Sequence, residues 1–181
     1  MHGTEAPSPW VCRWTPLIRP GGQVLDLACG GGRHMRWMAA QGHPVLGVDR
    51  SAEALALAQA FGPTLQADIE GDAWPLDGRC FDAVLVTNYL WRPLWPQILA
   101  AVAPGGVLIY ETFAQGHERV GRPARADFLL APGELLQVAG QGGLRVVAYE
   151  DGFLREPERF VQRLAAVREV PSSTPARWPL A

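Results

Sequence analysis

The chain has 181 residues, of which 48% are hydrophobic and 19% are charged, so it can bury the core of one domain and is not expected to be disordered. Its formal net charge of −2 excludes a protein that holds nucleic acid through an overall basic field, and nucleic acid is not an expected partner. No apolar run approaches the ~18 residues that a membrane-spanning helix requires, and the three cysteines lack the spacing of a metal site, so neither a membrane nor a metal is expected.

Residues 1–22 form a head segment ahead of the first predicted strand. The first ten residues lack the apolar stretch of a secretory signal, and an odd number of cysteines favours a reducing cytoplasm. All basic residues other than histidine are arginine and Asn88 is the one asparagine, which favours a GC-rich, bacterial genome. The stretch SPWVCRWTPLI predicts one short helix laid over the sheet. We therefore expect residues 1–22 to cap a single domain of residues 1–181.

Short apolar runs predict strands that are buried on both faces, as in a parallel sheet. These runs cover residues 24–28, 45–49, 83–87 and 107–112, with a weaker strand at 64–68. Helical patterns lie between the runs, and this alternation predicts right-handed βαβ units.

Two of the helices have recognisable boundaries. Ser51 is placed to cap the first, whose apolar face is predicted to contain Ala54, Leu57, Ala58 and Phe61. The second is predicted over residues 93–102 and ends before the Pro-Gly-Gly turn at 104–106.

The end of the chain follows a different pattern. Residues 132–140 predict a helix and 144–149 a strand, while 159–168 fit a strand or a helix. Too few residues separate Tyr149 from Phe160 for a crossover helix, so an antiparallel hairpin is favoured. Residues 171–181 predict an irregular tail. The expected fold is α/β: a Rossmann-like, doubly wound, mostly parallel seven-stranded sheet with helices on both faces and an antiparallel C-terminal hairpin.

The stretch VLDLACGGGRH, residues 24–34, runs from a predicted strand into a helix. Glycines there allow backbone N–H groups to approach a ligand closely. Gly30 and Gly32 fit the first two positions of the dinucleotide pattern GxGxxG, but the third falls on Met35. Asp26 lies inside the strand, where a carboxylate suits a positive group such as an amine better than a pyrophosphate.

Two further acids end the next predicted strands. Asp49 follows the second strand, where a carboxylate can accept both hydroxyls of a ribose, and Asp68 follows the third. Because the carboxyl ends of parallel strands meet in one crevice, the three acids are expected to converge. Together they describe a site for a nucleoside that carries an amino acid.

The motifs DLACGGGR, GVDRS, ADI, FDAVLVTNYLW and APGGVLIYETF, in this order, resemble a class I S-adenosylmethionine-dependent methyltransferase over roughly residues 20–170. The resemblance implies S-adenosylmethionine as cofactor. It implies that Asp26 lies near the amino acid moiety of the cofactor, that Gly30 and Gly32 pass close to the cofactor, and that Asp49 holds the ribose. Asp68 and Ile69 are expected to border the adenine, and Asn88 and Tyr89 to lie near the methionine end. Ala28 and Arg50 are further expected cofactor-binding residues. Ala28 stands where the family often has glycine.

A narrower resemblance follows the fifth strand. The stretch YETFAQGHERVGRPARADFLLAPGELL is similar to bacterial methyltransferases of the TehB-like, tellurite-resistance group, with His117 where asparagine is usual. It implies a small-molecule acceptor. A thiol, a selenol and a tellurium or selenium species are candidate acceptors. A soft anion of this kind would need no strong base, whereas a hydroxyl or amine would need one.

Several interpretations stay open. If a base is needed, the candidates are His117, Glu111 and Tyr89. Tyr89, Trp91 and Trp95 are placed either to line an acceptor pocket or to pack in the core. The segment 114–131 predicts a lid or an unrecognised helix, whose Arg119, Arg122 and Arg125 either meet an anionic acceptor or lie in solvent. Methylation of RNA or protein, and binding without catalysis, are the alternatives to a small-molecule acceptor.

Overall fold

The computed structural model describes residues 5–71, 73–172 and 177–180. In this part of the chain, seven strands form one sheet in the order β3-β2-β1-β4-β5-β7-β6. The strands are β1 (Val24–Leu27), β2 (Val45–Asp49), β3 (Thr64–Gln66), β4 (Phe81–Thr87), β5 (Val102–Phe113), β6 (Arg145–Arg155) and β7 (Glu158–Val167). The five strands from β3 to β5 pair in parallel, whereas β7 runs antiparallel to both β5 and β6. The predicted fold, including the C-terminal hairpin, is confirmed.

The α-helices of the described residues connect and cover these strands. They are α1 (Pro9–Trp14), α2 (Arg33–Ala40), α3 (Ala52–Ala58), α4 (Trp95–Ala100) and α5 (Glu134–Gln141). Ser51 caps α3 as predicted, since its side chain accepts a hydrogen bond from the backbone N–H of Ala54 at 3.2 Å. No helix within these residues is long and apolar enough to cross a bilayer.

Alternate residues of the central strands enter two separate cores, one on each face of the sheet. In β1, Leu25 and Leu27 face one core, and Val24 faces the other. This arrangement explains the uninterrupted apolar runs in the sequence. Asp26 shares the face of Val24 and is therefore buried by its position in the strand.

The described part of the head segment, from residue 5 onward, covers one face of the sheet. Trp10, Val11 and Trp14 of α1 are buried in the core on that face, and the indole N–H of Trp10 donates to the carbonyl of Leu164 at 3.2 Å. Residues 1–4 of the predicted cap, and residues 173–176 and 181 of the predicted tail, lie outside the described residues. The described tail residues, 171–172 and 177–180, have no regular secondary structure.

The structure corrects three local predictions. Leu57, predicted to lie on the apolar face of α3, is 50% exposed. The buried residues of α3 are Leu55, which was not predicted, and Ala58, which was. The predicted helix at 93–102 is a 3-10 turn followed by α4, and it stops early because Val102 already pairs with Phe81 in the sheet. Strand β3 ends at Gln66, so Asp68 lies in the loop beyond it.

Candidate active site

Three adjoining cavities form one cleft at the carboxyl ends of the parallel strands. The Asp49 cavity, about 230 Å³, is lined by residues that include Asp49, Arg50, Asp68 and Ile69. The glycine-loop cavity, about 170 Å³, lies along residues 28–31, and the Phe128 cavity, about 300 Å³, lies beyond β4 and β5.

The cavities are continuous because they share lining residues. Ala28 borders the Asp49 and glycine-loop cavities, Asn88 borders the glycine-loop and Phe128 cavities, and Glu70 and Tyr89 border the Asp49 and Phe128 cavities. The cleft begins between β1 and β4, where the strand order reverses, which is the usual ligand site of such sheets.

The glycine loop has a backbone that side chains tolerate poorly. Gly32 has φ +81°, and a Cβ there would lie 2.9 Å from the Cα of Ala58, so glycine is required for α2 and α3 to pack. Gly30 has φ +53°, and a Cβ there would meet no atom within 4 Å, because the residue borders the cleft. Ala28 also has a positive φ, +53°, which explains why glycine suits this position.

Asp49 joins the glycine loop to the start of α3. Its Oδ2 accepts a hydrogen bond from the N–H of Gly30 at 2.8 Å, and its Oδ1 accepts one from the N–H of Ser51 at 2.9 Å. The carboxylate also lines its cavity. Each oxygen retains a second lone pair, so Asp49 has the acceptors that a ribose diol needs while it supports the loop.

Asp26 lies beneath the loop with 1% of its surface exposed, and its Oδ2 has no hydrogen-bond partner. Burial raises the pKa of this carboxyl from 3.8 to about 7; the charge of Asp49 raises it further, and the charge of Arg33 opposes the rise. An unpartnered buried carboxylate beside a loop of accessible backbone fits a ligand with an ammonium group. The donor set of the cleft therefore fits S-adenosylmethionine.

Asp68 closes a turn and also borders the cleft. Its Oδ1 accepts a hydrogen bond from the N–H of Glu70 at 3.1 Å, which closes a turn, and the residue also lines the Asp49 cavity beside Ile69.

Asn88 and Tyr89 follow β4 and border the cleft. Asn88 has φ +54°, and its N–H donates to the carbonyl of Glu111 at 2.9 Å, which fixes the turn. The Tyr89 hydroxyl is buried without a partner, and its pKa is raised by burial and by the charge of Glu70. The carbonyl of Tyr89 accepts a hydrogen bond from the hydroxyl of Tyr110 at 2.9 Å.

The other two candidate bases do not line the cleft. Glu111 is fully buried; it accepts a hydrogen bond from the Ser8 hydroxyl at 2.9 Å and pairs with Arg163 at 3.4 Å. His117 is also buried, and its Nε2–H donates to the carbonyl of Arg122 at 3.0 Å. These contacts favour structural roles and leave Tyr89 as the candidate that lines the cleft.

The segment 114–131 is neither a long helix nor a free loop. It contains short 3-10 turns at His117–Arg119 and Ala126–Phe128. Arg92 holds its far end, donating to the carbonyls of Asp127 and Leu129 at 2.8 and 2.9 Å. We refer to residues 114–131 as the strap.

Sequence reasoning missed several residues of the cleft. His34 borders the glycine-loop cavity; its Nε2 accepts from the N–H of Ser8 at 3.1 Å, and its Nδ1 lies 3.3 Å from the Thr87 hydroxyl. Burial, followed by the charge of Arg33, lowers the pKa of His34 to about 3, so the ring is neutral. Glu70, Thr112, Phe113 and Phe128 were missed as well. The Phe residues lie in the stretch quoted for the TehB-like resemblance, which was the available signal.

The comparisons with known proteins agree with the cleft. Residues 24–106 match a family model described as a methyltransferase domain. The malonyl-[acyl-carrier protein] O-methyltransferase of Pectobacterium atrosepticum is 36% identical over 105 residues, which are 53% of this chain and 40% of that protein. The ubiquinone biosynthesis O-methyltransferase of Coxiella burnetii is 29% identical over 153 residues, which are 70% of this chain and 65% of that protein. The chain therefore spans less than two thirds of the length of these relatives.

TehB from Haemophilus influenzae is a solved structure with the same fold. Its TM-score is 0.75 at 20% identity, over 92% of this chain and 64% of that chain. The fold is the Rossmann-like fold of class I S-adenosylmethionine-dependent methyltransferases, and residues 24–106 are similar to a methyltransferase domain. The likeness to TehB is a likeness of fold and agrees with the resemblance seen in the sequence. S-adenosylmethionine is the cofactor of this class of methyltransferase.

Proposed function

We propose that the chain transfers a methyl group from S-adenosylmethionine to a small-molecule acceptor. The observation that carries this proposal is the continuity of the cleft: the Asp49 and glycine-loop cavities offer a cofactor site, and the Phe128 cavity opens directly beside it. A cavity of about 300 Å³ suits a small molecule. The Coxiella burnetii relative is an O-methyltransferase of ubiquinone biosynthesis, which agrees with an acceptor of this kind.

In this proposal each part of the cleft holds one part of the cofactor. Asp26 and the glycine loop, with Ala28, Gly30 and Gly32, take the amino acid moiety. Asp49 and Arg50 take the ribose. The adenine lies against Asp68 and Ile69, and Asn88 and Tyr89 border the reacting end.

The chain's main contribution to catalysis is positioning. When bound, S-adenosylmethionine supplies a methyl group whose bond to the sulfonium breaks with the electron pair passing to sulfur, while a lone pair of the acceptor forms the new bond. Holding the two groups in line can supply most of the rate enhancement. An acceptor that is already a soft anion, such as a thiolate, selenolate or tellurium species, requires no base. A hydroxyl or amine must lose a proton. Tyr89 and Glu70 line this part of the cleft, and the carboxylate of Glu70 is the group that can accept the proton, because the raised pKa of Tyr89 keeps its hydroxyl protonated.

Cofactor binding tests the first half of the proposal. We expect Asp49→Ala to weaken S-adenosylhomocysteine binding at least about 30-fold by calorimetry, because a charge-assisted hydrogen bond and the loop support are both lost. Glu53→Ala is the matched control, since Glu53 is an exposed acid on α3 that does not line the cleft. Equal affinity of the Asp49→Ala and Glu53→Ala proteins would overturn the assignment of the cofactor site.

Turnover tests the second half. The protein is incubated with S-adenosylmethionine and a cell extract that has been separated by size, and S-adenosylhomocysteine is measured in each fraction with Asp49→Ala as the blank. We expect turnover with the small-molecule fraction. Turnover confined to the macromolecular fraction would instead support an RNA or protein acceptor, and no turnover in either fraction would support a non-catalytic binding protein.

A further inference from the structure

The wall of the Phe128 cavity is mainly aromatic and apolar. Three aromatic side chains line it: Tyr89 from the turn after β4, Phe113 from the end of β5, and Phe128 from the strap. Leu90 and Pro123 add further apolar surface. The cavity measures about 300 Å³. An apolar cavity of about 150 Å³ is enough to hold benzene, so this one has room for two fused rings.

The aromatic walls are held in place by contacts behind them. Phe113 stacks on His117 with a centroid distance of 4.4 Å and an interplanar angle of 24°. Phe128 lies under the guanidinium of Arg125, which is 5.4 Å from the ring centroid. Arg92 binds the carbonyls on both sides of Phe128, those of Asp127 and Leu129. The cavity is therefore pre-formed, and flat rings are the shape that offset stacking favours.

The charge in the cavity has one sign. Glu70 is its charged lining residue among the described parts of the chain. The adjoining Asp49 cavity is lined by two further acids, Asp49 and Asp68, and by one cation, Arg50. The strap arginines do not offset these charges at the wall. Arg125 is exposed and pairs with Asp127 at 2.8 Å, and Arg119 and Arg122 are exposed residues outside the cavity lining. An anionic acceptor would therefore enter the Phe128 cavity against a carboxylate, and the wall of this cavity contains no arginine among the described residues.

The aromatic walls of the Phe128 cavity and the charge of Glu70 indicate the class of acceptor, and this inference rests on the proposed function. We propose that the Phe128 cavity binds an uncharged aromatic compound of one or two fused rings that carries the nucleophilic atom, and that Glu70 excludes carboxylates and inorganic oxyanions. The aromatic walls select for a planar ring, and Glu70 selects against negative charge. Aromatic thiols remain within this class in their neutral form, whereas tellurite and selenite fall outside it.

A set of matched probes tests the inference without requiring turnover. The protein is saturated with S-adenosylhomocysteine, and binding of four compounds is measured by NMR at pH 7.5. The compounds are 2-naphthol, the saturated decahydro-2-naphthol, 2-naphthoate and selenite. We expect 2-naphthol to bind at least about tenfold more tightly than each of the other three, because only it combines a flat ring with neutrality. Equal or tighter binding of 2-naphthoate or selenite would overturn the role of Glu70, and equal binding of the saturated compound would overturn the role of the rings.

Two variants assign the selectivity to residues. Glu70→Gln should reduce the ratio of the affinities for 2-naphthol and 2-naphthoate by about fivefold or more, because the amide keeps the shape of the side chain and removes its charge. Phe128→Ala should weaken 2-naphthol binding about tenfold and weaken S-adenosylhomocysteine binding less. Phe153→Ala is the matched control, because Phe153 is an exposed aromatic residue on the hairpin, 42% accessible and outside the cavity.

The two proposals fail in different ways. If S-adenosylhomocysteine does not bind the unmodified protein, the proposed function fails before any acceptor is tested. If it binds and the probe preferences are absent, or if Glu70→Gln and Phe128→Ala leave them unchanged, the cofactor site stands and the acceptor class is wrong.

Discussion

Replacing Asp26 by asparagine tests whether the carboxylate beneath the glycine loop is held at a cost to stability. Asparagine has nearly the same shape but does not ionise, so the variant removes the charge and keeps the packing. Asp26 is almost completely buried, its Oδ2 has no partner, and its pKa is about 7, mainly through burial.

The direction of the effect follows from proton binding. Between pH 4 and 7 the folded protein keeps a proton on Asp26, whereas the unfolded chain, with a pKa near 3.8, releases it. The folded state binds more protons, so this group makes stability fall as pH rises through this window. The loss is complete above pH 7 and reaches at most about 4 kcal/mol. The Asp26→Asn substitution removes this loss because an amide has no proton to release.

The assay is urea unfolding of the cofactor-free proteins at pH 4.5 and pH 8. We expect Asp26→Asn to be more stable than the unmodified protein at pH 8 by about 2 to 4 kcal/mol, and to differ much less at pH 4.5. The same variant should bind S-adenosylhomocysteine at least about tenfold more weakly, because the ammonium loses a charged acceptor. Stability would then be gained where binding is lost.

Asp82 provides a control of opposite sign. Burial alone would raise its pKa, but hydrogen bonds from Arg19 and from the N–H of Gln23, together with the charge of Arg19, lower it. A depressed pKa stabilises the folded protein above about pH 4, so Asp82→Asn should be destabilised at pH 8. If Asp26→Asn shows the same pH dependence of unfolding as the unmodified protein, the carboxylate is not under desolvation stress and the reasoning about Asp26 is refuted.

Two further substitutions test the loop and the strap. Ala28→Gly should stabilise the protein by about 0.5 to 1 kcal/mol in urea unfolding, because the relief of a positive φ of +53° exceeds the added freedom of the unfolded chain; a destabilised variant would mean that the methyl group is packed more productively than the backbone is strained. His117→Ala should lose about 2 kcal/mol with the hydrogen bond to Arg122 and the stack on Phe113, whereas His117→Asn, whose amide can still donate, should lose less. An alanine variant that keeps full stability but loses turnover more than about 100-fold would restore His117 as a catalytic base.

The sequence by itself predicts the proposed cofactor site. The sequence shows strands buried on both faces, a glycine loop after β1, and acids within β1, at the end of β2 and after β3. These features depend on local backbone requirements, so they appear in the sequence at fixed spacing. Parallel pairing brings the carboxyl ends of those strands to one edge of the sheet. The sequence alone therefore predicts that Asp49 and Asp68 lie close together, and both line the same cavity.

The proposed acceptor site, the Phe128 cavity, depends on the tertiary structure. Phe128 lies fifteen residues beyond Phe113, and the two meet at one cavity because Arg92, from another part of the chain, holds the strap. By residue type alone, Glu111 and His117 are candidate bases. In the folded chain, however, Glu111 pairs with Arg163, and His117 donates a hydrogen bond to the carbonyl of Arg122. Contacts between distant segments depend on how the whole chain closes, and local spacing carries no record of them. The sequence therefore predicts where the cofactor binds, while the fold determines what can approach it.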